Sequence, residues 1–179
     1  MELKDGTSLS LTPAELNEAL QYSPTPGIPK FIAQLKQMMI REHAPKMDES
    51  AWTVSVSTGS SDALYKAFEM LVEEGDSVLI EAPTYSGSLA ALRPLRPNFL
   101  EIEVDEFGLI PAKLESMLDT CSTMGGRAKP RILYIIPTGQ NPAGSTLSFE
   151  RKKEIYQIAC KHNLIILEDD PYYYLVRRT

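Results

Sequence analysis

The stretch RILYIIPTGQNPAGSTLSFERKKEIYQIACKHNLIILEDD, residues 131–170, decides the fold. It opens on RILYII, residues 131–136, apolar throughout after Arg131, and returns to a second apolar run at residues 164–167. Neither run alternates apolar with polar, so each reads as a strand covered on both faces. Between them, residues 150–162 (ERKKEIYQIACKH) read as a helix. Strand, helix and strand with both strands buried make a parallel unit joined by a right-handed crossover.

The same alternation recurs upstream. Residues 77–82 (SVLIEA) and 98–104 (NFLEIEV) read as strands, and residues 89–95 (LAALRPL) as a short helix. Pro111 opens a helix carrying Leu114, Met117, Leu118 and Cys121. Leu64, Ala67, Phe68, Leu71 and Val72 form a helical stripe closed by Gly75, and the β-rich run WTVSVS, residues 52–57, precedes it as a strand. GGRAK, residues 125–129, is the one flexible-looking connection. The expected class is α/β, a mainly parallel sheet with helices on both faces, over residues 51–179. Residues 1–50 differ. QYSPTPGIP, residues 21–29, packs three prolines into a short span, and a helix with Phe31, Leu35, Met38 and Met39 on one face follows. This first segment reads as a loop and helix packed on the α/β block or reaching to a partner chain.

A chain of 179 residues, 43% hydrophobic and 23% charged, has globular proportions and room for a real core. A net charge of −6 with a pI near 5.0 argues against nucleic acid as a partner. Cys121 and Cys160 lie too far apart in sequence for a zinc knuckle or a CxxC redox pair. No apolar run approaches the ~20 residues that span a bilayer. The opening MELKDGTSLS resembles neither a signal peptide nor a transit peptide. A cytoplasmic location follows as the expectation, or a mitochondrial one should a targeting segment precede Met1.

In a parallel sheet, ligands sit beyond the C-terminal ends of the strands. Three segments fall there. In STGSSDAL, residues 57–64, Gly59 permits a close backbone approach, and Ser60 and Ser61 offer hydroxyls beside the free N–H groups of a helix start. That suits a phosphate, and equally a serine that caps the helix. In PTGQNPAGSTLS, residues 137–148, Asn141 either donates to a ligand oxygen or organises the turn. After residues 164–167, Asp169 and Asp170 place carboxylates at a buried strand end, a costly position unless a cationic or hydrogen-bonding group meets them. Asp170 either holds the proton of a ring nitrogen or caps a turn that begins at Pro171.

QYSPTPGIP, STGSSDAL, EAPTYSG, PTGQNPAG and LEDDPYYYL, in this order, resemble the class I/II aminotransferases of fold type I. Within that family, the kynurenine/α-aminoadipate subgroup is the most similar, through ERKKEIYQIA, EDDPYYYL and the Tyr-Ser-Pro near the start. The resemblance implies pyridoxal 5′-phosphate as cofactor and an amino acid and a 2-oxo acid as substrates. It implies that Ser60 and Ser61 bind the cofactor phosphate and that Tyr85 stacks on the pyridine ring. Asn141 would hydrogen-bond the phenolic oxygen with Tyr173 as second partner, and Asp170 would pair with the pyridinium nitrogen. Tyr22 would reach the phosphate of a neighbouring subunit's cofactor, which implies a homodimer. Glu168 and Asp169 are left as structural residues.

Two departures qualify that picture. Ser61 stands where relatives often carry glutamine in the phosphate loop, and its backbone N–H can still serve. The Schiff-base lysine and the arginines of the family are expected beyond Thr179, with Lys152, Lys153 and Lys161 on a solvated helix face instead. Transamination then lacks its base within these residues, so no catalytic residue is assigned. By the same resemblance, the strands read above are the first five of seven. Two central strands, a segment before Met1 and the small C-terminal domain are expected to be missing. The expectation is a fragment of a transaminase, inactive alone, or else a truncated chain that binds a full-length partner. His43 and His162 read as helix ends and Trp52 as packing.

Overall fold

The structure, a computed structural model, describes residues 4–8, 10–123 and 129–175. It divides into two compact units, Met1–Ser57 and Thr58–Thr179, a little beyond the boundary expected at residue 50.

The first unit holds α1 (Pro13–Ala19) and α2 (Pro29–His43). α1 begins with a reciprocal cap: Thr12 Oγ1 accepts from the Glu15 N–H, and the Glu15 carboxylate accepts from the Thr12 N–H at 2.8 Å. α2 starts on Pro29, whose fixed φ suits a first helical position, and ends where Ala44 turns left-handed. His43 is its last residue, the helix end expected of it. Trp52 packs beneath the Lys36 ammonium, 4.9 Å from the ring centroid. The expected strand at residues 52–57 is absent: those residues are assigned to no strand, and the Val56 N–H donates to the Pro26 carbonyl instead. High β propensity sets an extended backbone, but only a ladder partner makes a strand.

The second unit is built on β1 (Ser77–Ala82), β2 (Asn98–Asp105), β3 (Gly108–Leu109), β4 (Ile132–Ile135) and β5 (Ile165–Glu168). Their order is β3-β2-β1-β4-β5, with every pair parallel except β2–β3. The count of five therefore differs in membership from the one expected. The short antiparallel β3, folded back after Phe107, stands in place of residues 52–57.

Helices α3 (Ser60–Leu71), α4 (Ser86–Leu92), α5 (Pro111–Thr123) and α6 (Phe149–His162) cover the sheet. Strand alternation divides the core. Leu79, Leu133 and Ile135 point to a layer shared with Leu114 and Leu118 of α5 and with Ile155 and Ile158 of α6. Val78, Ile80, Ile132 and Tyr134 point to the other layer, with Leu64 and Phe68 of α3 and with Ala91 and Leu92 of α4. Helices on both faces are what the continuously apolar strands required. Arg151 of α6 ties the β2–β3 hairpin down through two hydrogen bonds to Asp105, 2.6 and 2.7 Å, and one to the Gly108 carbonyl. Apart from Lys129, the connection expected to be flexible lies outside the described residues. Among the described residues, no helix is long and apolar enough to cross a membrane, and no cluster of His, Cys, Asp or Glu could hold a metal ion.

Polar side chains are buried in this core too, Tyr134 and Glu81 among them. Tyr134 packs edge-on against Phe68, ring centroids 5.6 Å apart. Glu81, only 1% exposed, accepts from the Ile136 N–H at 3.0 Å and from Gln140 Nε2 at 3.3 Å, both through Oε2. Burial pushes its carboxyl up to about 7, while those two hydrogen bonds pull it back.

Phe68→Ala should cost about 3–5 kcal/mol, because it empties a fully buried site whose aromatic neighbour cannot follow. Urea unfolding of the two chains checks the figure. Glu81 sets a pH dependence whose sign is fixed by its raised folded-state pKa. Its contribution is complete below the unfolded carboxyl value of 4.5 and is lost as pH rises towards about 7. Unfolding free energy should therefore fall between pH 5 and pH 8 by up to about 3 kcal/mol, and Glu81→Gln should flatten that slope. A wild-type chain as stable at pH 8 as at pH 5, with Glu81→Gln indistinguishable from it, would contradict this reading.

Candidate functional site

From β1 the chain crosses to β2 on one side and later returns to β4 on the other, which makes the β1–β4 boundary a switch point. Loops leaving the C-terminal ends of β1, β4 and β5 converge there with the start of α3. Ser60, Ser61, Tyr85, Asn141, Asp169 and Tyr172 line one cavity. An adjoining cavity shares Ser60 and Asp169 and adds Asp170.

α3 enters this site uncapped by any side chain. Gly59 is its N-cap residue at φ 131°, a conformation that L side chains rarely adopt, with open space where a Cβ would stand. Ser60 and Ser61 are consequently the first two helical residues rather than caps, and their hydroxyls are exposed. Asp62 reaches back to the Thr58 N–H at 3.0 Å and pairs with Lys66 at 2.6 Å. The helix thus begins at residues that line the cavity, with no side chain capping its first turn and two hydroxyls there, which suits an anion.

Tyr85 precedes α4, and its ring folds over the first turn so closely that a Cβ on Gly87 would run into it. Glycine at residue 87 is therefore a packing requirement for the aromatic wall. Asn141 sits in the turn after β4, yet Gln140 is the residue that braces that turn: its Oε1 accepts from the Ala143 N–H at 2.7 Å. The amide of Asn141 is left exposed at the cavity edge.

The two adjacent aspartates differ. Asp169 Oδ2 accepts from the Tyr134 hydroxyl at 2.9 Å, and Ser88 Oγ donates to that hydroxyl at 2.6 Å. Burial raises the Asp169 carboxyl, the Tyr134 hydrogen bond lowers it, and the neighbouring Asp170 charge raises it further. Asp170 has a buried Oδ1 with no hydrogen-bond partner. An orphaned carboxylate oxygen in that position calls for a donor from a ligand. The turn expected at Pro171 is present over residues 171–175, and Oδ1 caps none of its N–H groups.

The site therefore gathers Ser60, Ser61, Tyr85 and Asn141 around one cavity, with Asp170 in the next. Tyr173 lies outside both linings, half-buried with its ring edge-on to Tyr174, and Tyr172 takes the lining position. Tyr22 belongs to the first unit and is fully exposed. Lys153 and Lys161 are exposed on α6, the latter paired with Glu115 at 2.6 Å. Asp169, read from the sequence as structural, lines the cavity. Gln140 and Ser88 carried no sequence signal, because their partners lie far away in the chain. An anion cradle, an aromatic wall, an exposed amide and an unpartnered buried carboxylate fit a ligand with a phosphate, a flat ring and a protonated ring nitrogen. Pyridoxal 5′-phosphate is such a group.

Known proteins agree. The family model of aminotransferase class I and II matches residues 10–179. The mitochondrial kynurenine/α-aminoadipate aminotransferase of Rattus norvegicus is 38% identical over 97% of this chain and 43% of its own length. The crystal structure of aminotransferase Aro8 from Candida albicans superposes with a TM-score of 0.85 at 41% identity, over 92% of this chain and 33% of that one. LysN, the α-aminoadipate aminotransferase of Thermus thermophilus, solved with N-(5′-phosphopyridoxyl)-L-leucine, matches at 33% identity and a TM-score of 0.68, over 88% of this chain and 37% of that one. This chain thus spans well under half the length of these relatives. With its motifs, fold and cavity in accord, the chain belongs to the class I and II aminotransferases, whose cofactor is pyridoxal 5′-phosphate.

Proposed function

We propose that these residues form the cofactor-holding part of a transaminase that moves an amino group from an aromatic amino acid, kynurenine or 2-aminoadipate to a 2-oxo acid. The buried, unpartnered Oδ1 of Asp170 beside a cavity lined by Ser60, Ser61, Tyr85 and Asn141 carries this reading. When bound, pyridoxal phosphate supplies an electron sink for carbanion chemistry.

The residues here bind, orient and hold a proton. The first N–H groups of α3 and the hydroxyls of Ser60 and Ser61 bind the phosphate, aided by the helix dipole. Tyr85 stacks on the ring, held upright by the absence of a side chain at Gly87. Asn141 donates to the phenolic oxygen, with Tyr173, in the turn that follows β5, as its second partner. Asp170 keeps the proton on the ring nitrogen, because a buried carboxylate favours a charged donor as its partner. Tyr22, projecting fully into solvent, is the residue proposed to reach the cofactor of a second subunit in a homodimer. The substrate class rests on the rat relative and on the α-aminoadipate enzyme of Thermus thermophilus.

Equilibrium dialysis of the purified chain against pyridoxal phosphate tests the reading. Asp170→Asn should weaken binding by about 10–100-fold, since it removes a charge-assisted hydrogen bond worth about 1.5–3 kcal/mol. Gly87→Ala should push the Tyr85 ring out of place and cost several-fold in the same assay, with the melting temperature little changed. Equal affinity in wild type and Asp170→Asn would remove the central support. Borohydride treatment of the mixture should label no single lysine stoichiometrically, and one that is so labelled would overturn the view that this segment holds the cofactor without bonding it.

A further inference from the structure

Gln140 lies beside Asn141, yet its side chain is buried, 2% exposed, and spans three elements. Nε2 donates to the Pro83 carbonyl at 2.7 Å and to Glu81 Oε2 at 3.3 Å. Oε1 accepts from the Ala143 N–H at 2.7 Å. Its backbone N–H donates to the Ser145 carbonyl at 2.8 Å, which closes the loop around it. Pro83 stands two residues before Tyr85, and Ala143 two after Asn141. One amide therefore clamps the loop carrying the aromatic wall to the turn carrying the exposed amide.

Its orientation is determined by its neighbours. Turning the amide over would set its oxygen against the Glu81 carboxylate and the Pro83 carbonyl, and its NH2 against the Ala143 N–H. Those contacts are all repulsive, so a single orientation survives. Glu81 is the anchor: the same Oε2 accepts from the Ile136 N–H at 3.0 Å, the last backbone donor before the turn begins.

We propose that Gln140 is a positioning residue for the cofactor site, oriented by Glu81, which fixes Tyr85 and Asn141 relative to one another. The proposal rests on the cofactor reading above. It explains why the Asn141 side chain is spared from bracing its own turn, and why a costly buried carboxylate is kept at the end of β1. Broken hydrogen bonds at such a buried junction leave several groups unsatisfied at once.

Two measurements on the full chain separate this proposal from the reading beneath it. The first needs no cofactor: amide hydrogen exchange, followed by NMR, at the Ala143 and Ile136 N–H groups. Gln140→Met keeps the side-chain length and removes its polar atoms. It should lower Ala143 protection by about tenfold or more, while protection at Leu79 and Leu133 in the core strands stays near wild type. Unchanged Ala143 protection would overturn the clamp. The second is pyridoxal phosphate affinity by dialysis. Gln140→Met should weaken it by about tenfold although every residue proposed to touch the cofactor is intact. Glu81→Leu should do the same, and Glu81→Gln, whose side-chain oxygen can still accept, should recover part of that loss. Lost Ala143 protection with undiminished affinity would overturn the positioning role and leave the cofactor reading standing. A wild-type chain that binds no pyridoxal phosphate would overturn the cofactor reading and the positioning role with it, while the exchange data still report on the clamp. Should Gln140→Met fail to fold, Gln140→Asn serves, with smaller losses expected in both measurements and none overturning the proposal.

Discussion

The Tyr85 loop and the Asn141 turn both depend on the end of β1. That strand lies at the centre of the sheet, paired on both sides and buried on both faces, so its backbone is the least free to move. Glu81 continues the ladder by other means: its carboxylate takes the Ile136 N–H just where the backbone pairing of β1 with β4 has stopped. The two chains would otherwise diverge into loops at this level. Their separation there determines how far the Tyr85 loop stands from the Asn141 turn, and therefore what can fit between them.

The cost is a desolvated carboxylate with one oxygen unpartnered. Burial is the larger effect on its pKa, and two hydrogen bonds offset only part of it. Fold stability alone would favour a neutral side chain at this position, since buried charge is seldom a net gain. Retention of the acid is better understood as a local sacrifice of stability for geometry, the pattern that functional sites commonly show.

Much of this arrangement was legible in the sequence, and the limits of that legibility are physical. The stripes of α3 and α5, and the apolar runs of β4 and β5, could be read because periodicity is a local property. So could the meeting of Asn141 and Asp170, since the C-terminal ends of parallel strands lie on one edge of the sheet, whereas Ser60 was expected there after a strand that residues 52–57 do not form, and Tyr85 by family resemblance alone. Residues 52–57 were misread as a strand because β propensity says nothing about whether a partner is within reach. β3, two residues long, carries no periodic signal at all. The start of α1 is local in the same sense, since Thr12-Pro-Ala-Glu15 is a capping sequence. Gln140 could not have been found in this way: it bonds a residue 59 positions distant, and its neighbour Asn141 offers the more obvious amide. Tyr134 was hidden for the opposite reason, a polar tip within an apolar run.

That tyrosine explains how two adjacent aspartates come to be unlike. Ser88 donates to its hydroxyl, so the hydroxyl's own proton is directed to Asp169. Asp169 is thereby engaged from the core side, where burial and the Asp170 charge raise its carboxyl and the Tyr134 hydrogen bond offsets part of that rise. Two neighbouring carboxylates in a partly buried site resist sharing full charge. A carboxylate that already has a donor from the protein has less need of another, and one with a buried oxygen unpartnered is left to meet a cation. Here the satisfied partner is Asp169, and the unsatisfied oxygen belongs to Asp170. The protein's own hydrogen bonds thus select between two chemically identical side chains, and they do so from α4 and β4, the elements that also carry the aromatic wall and lead into the Asn141 turn.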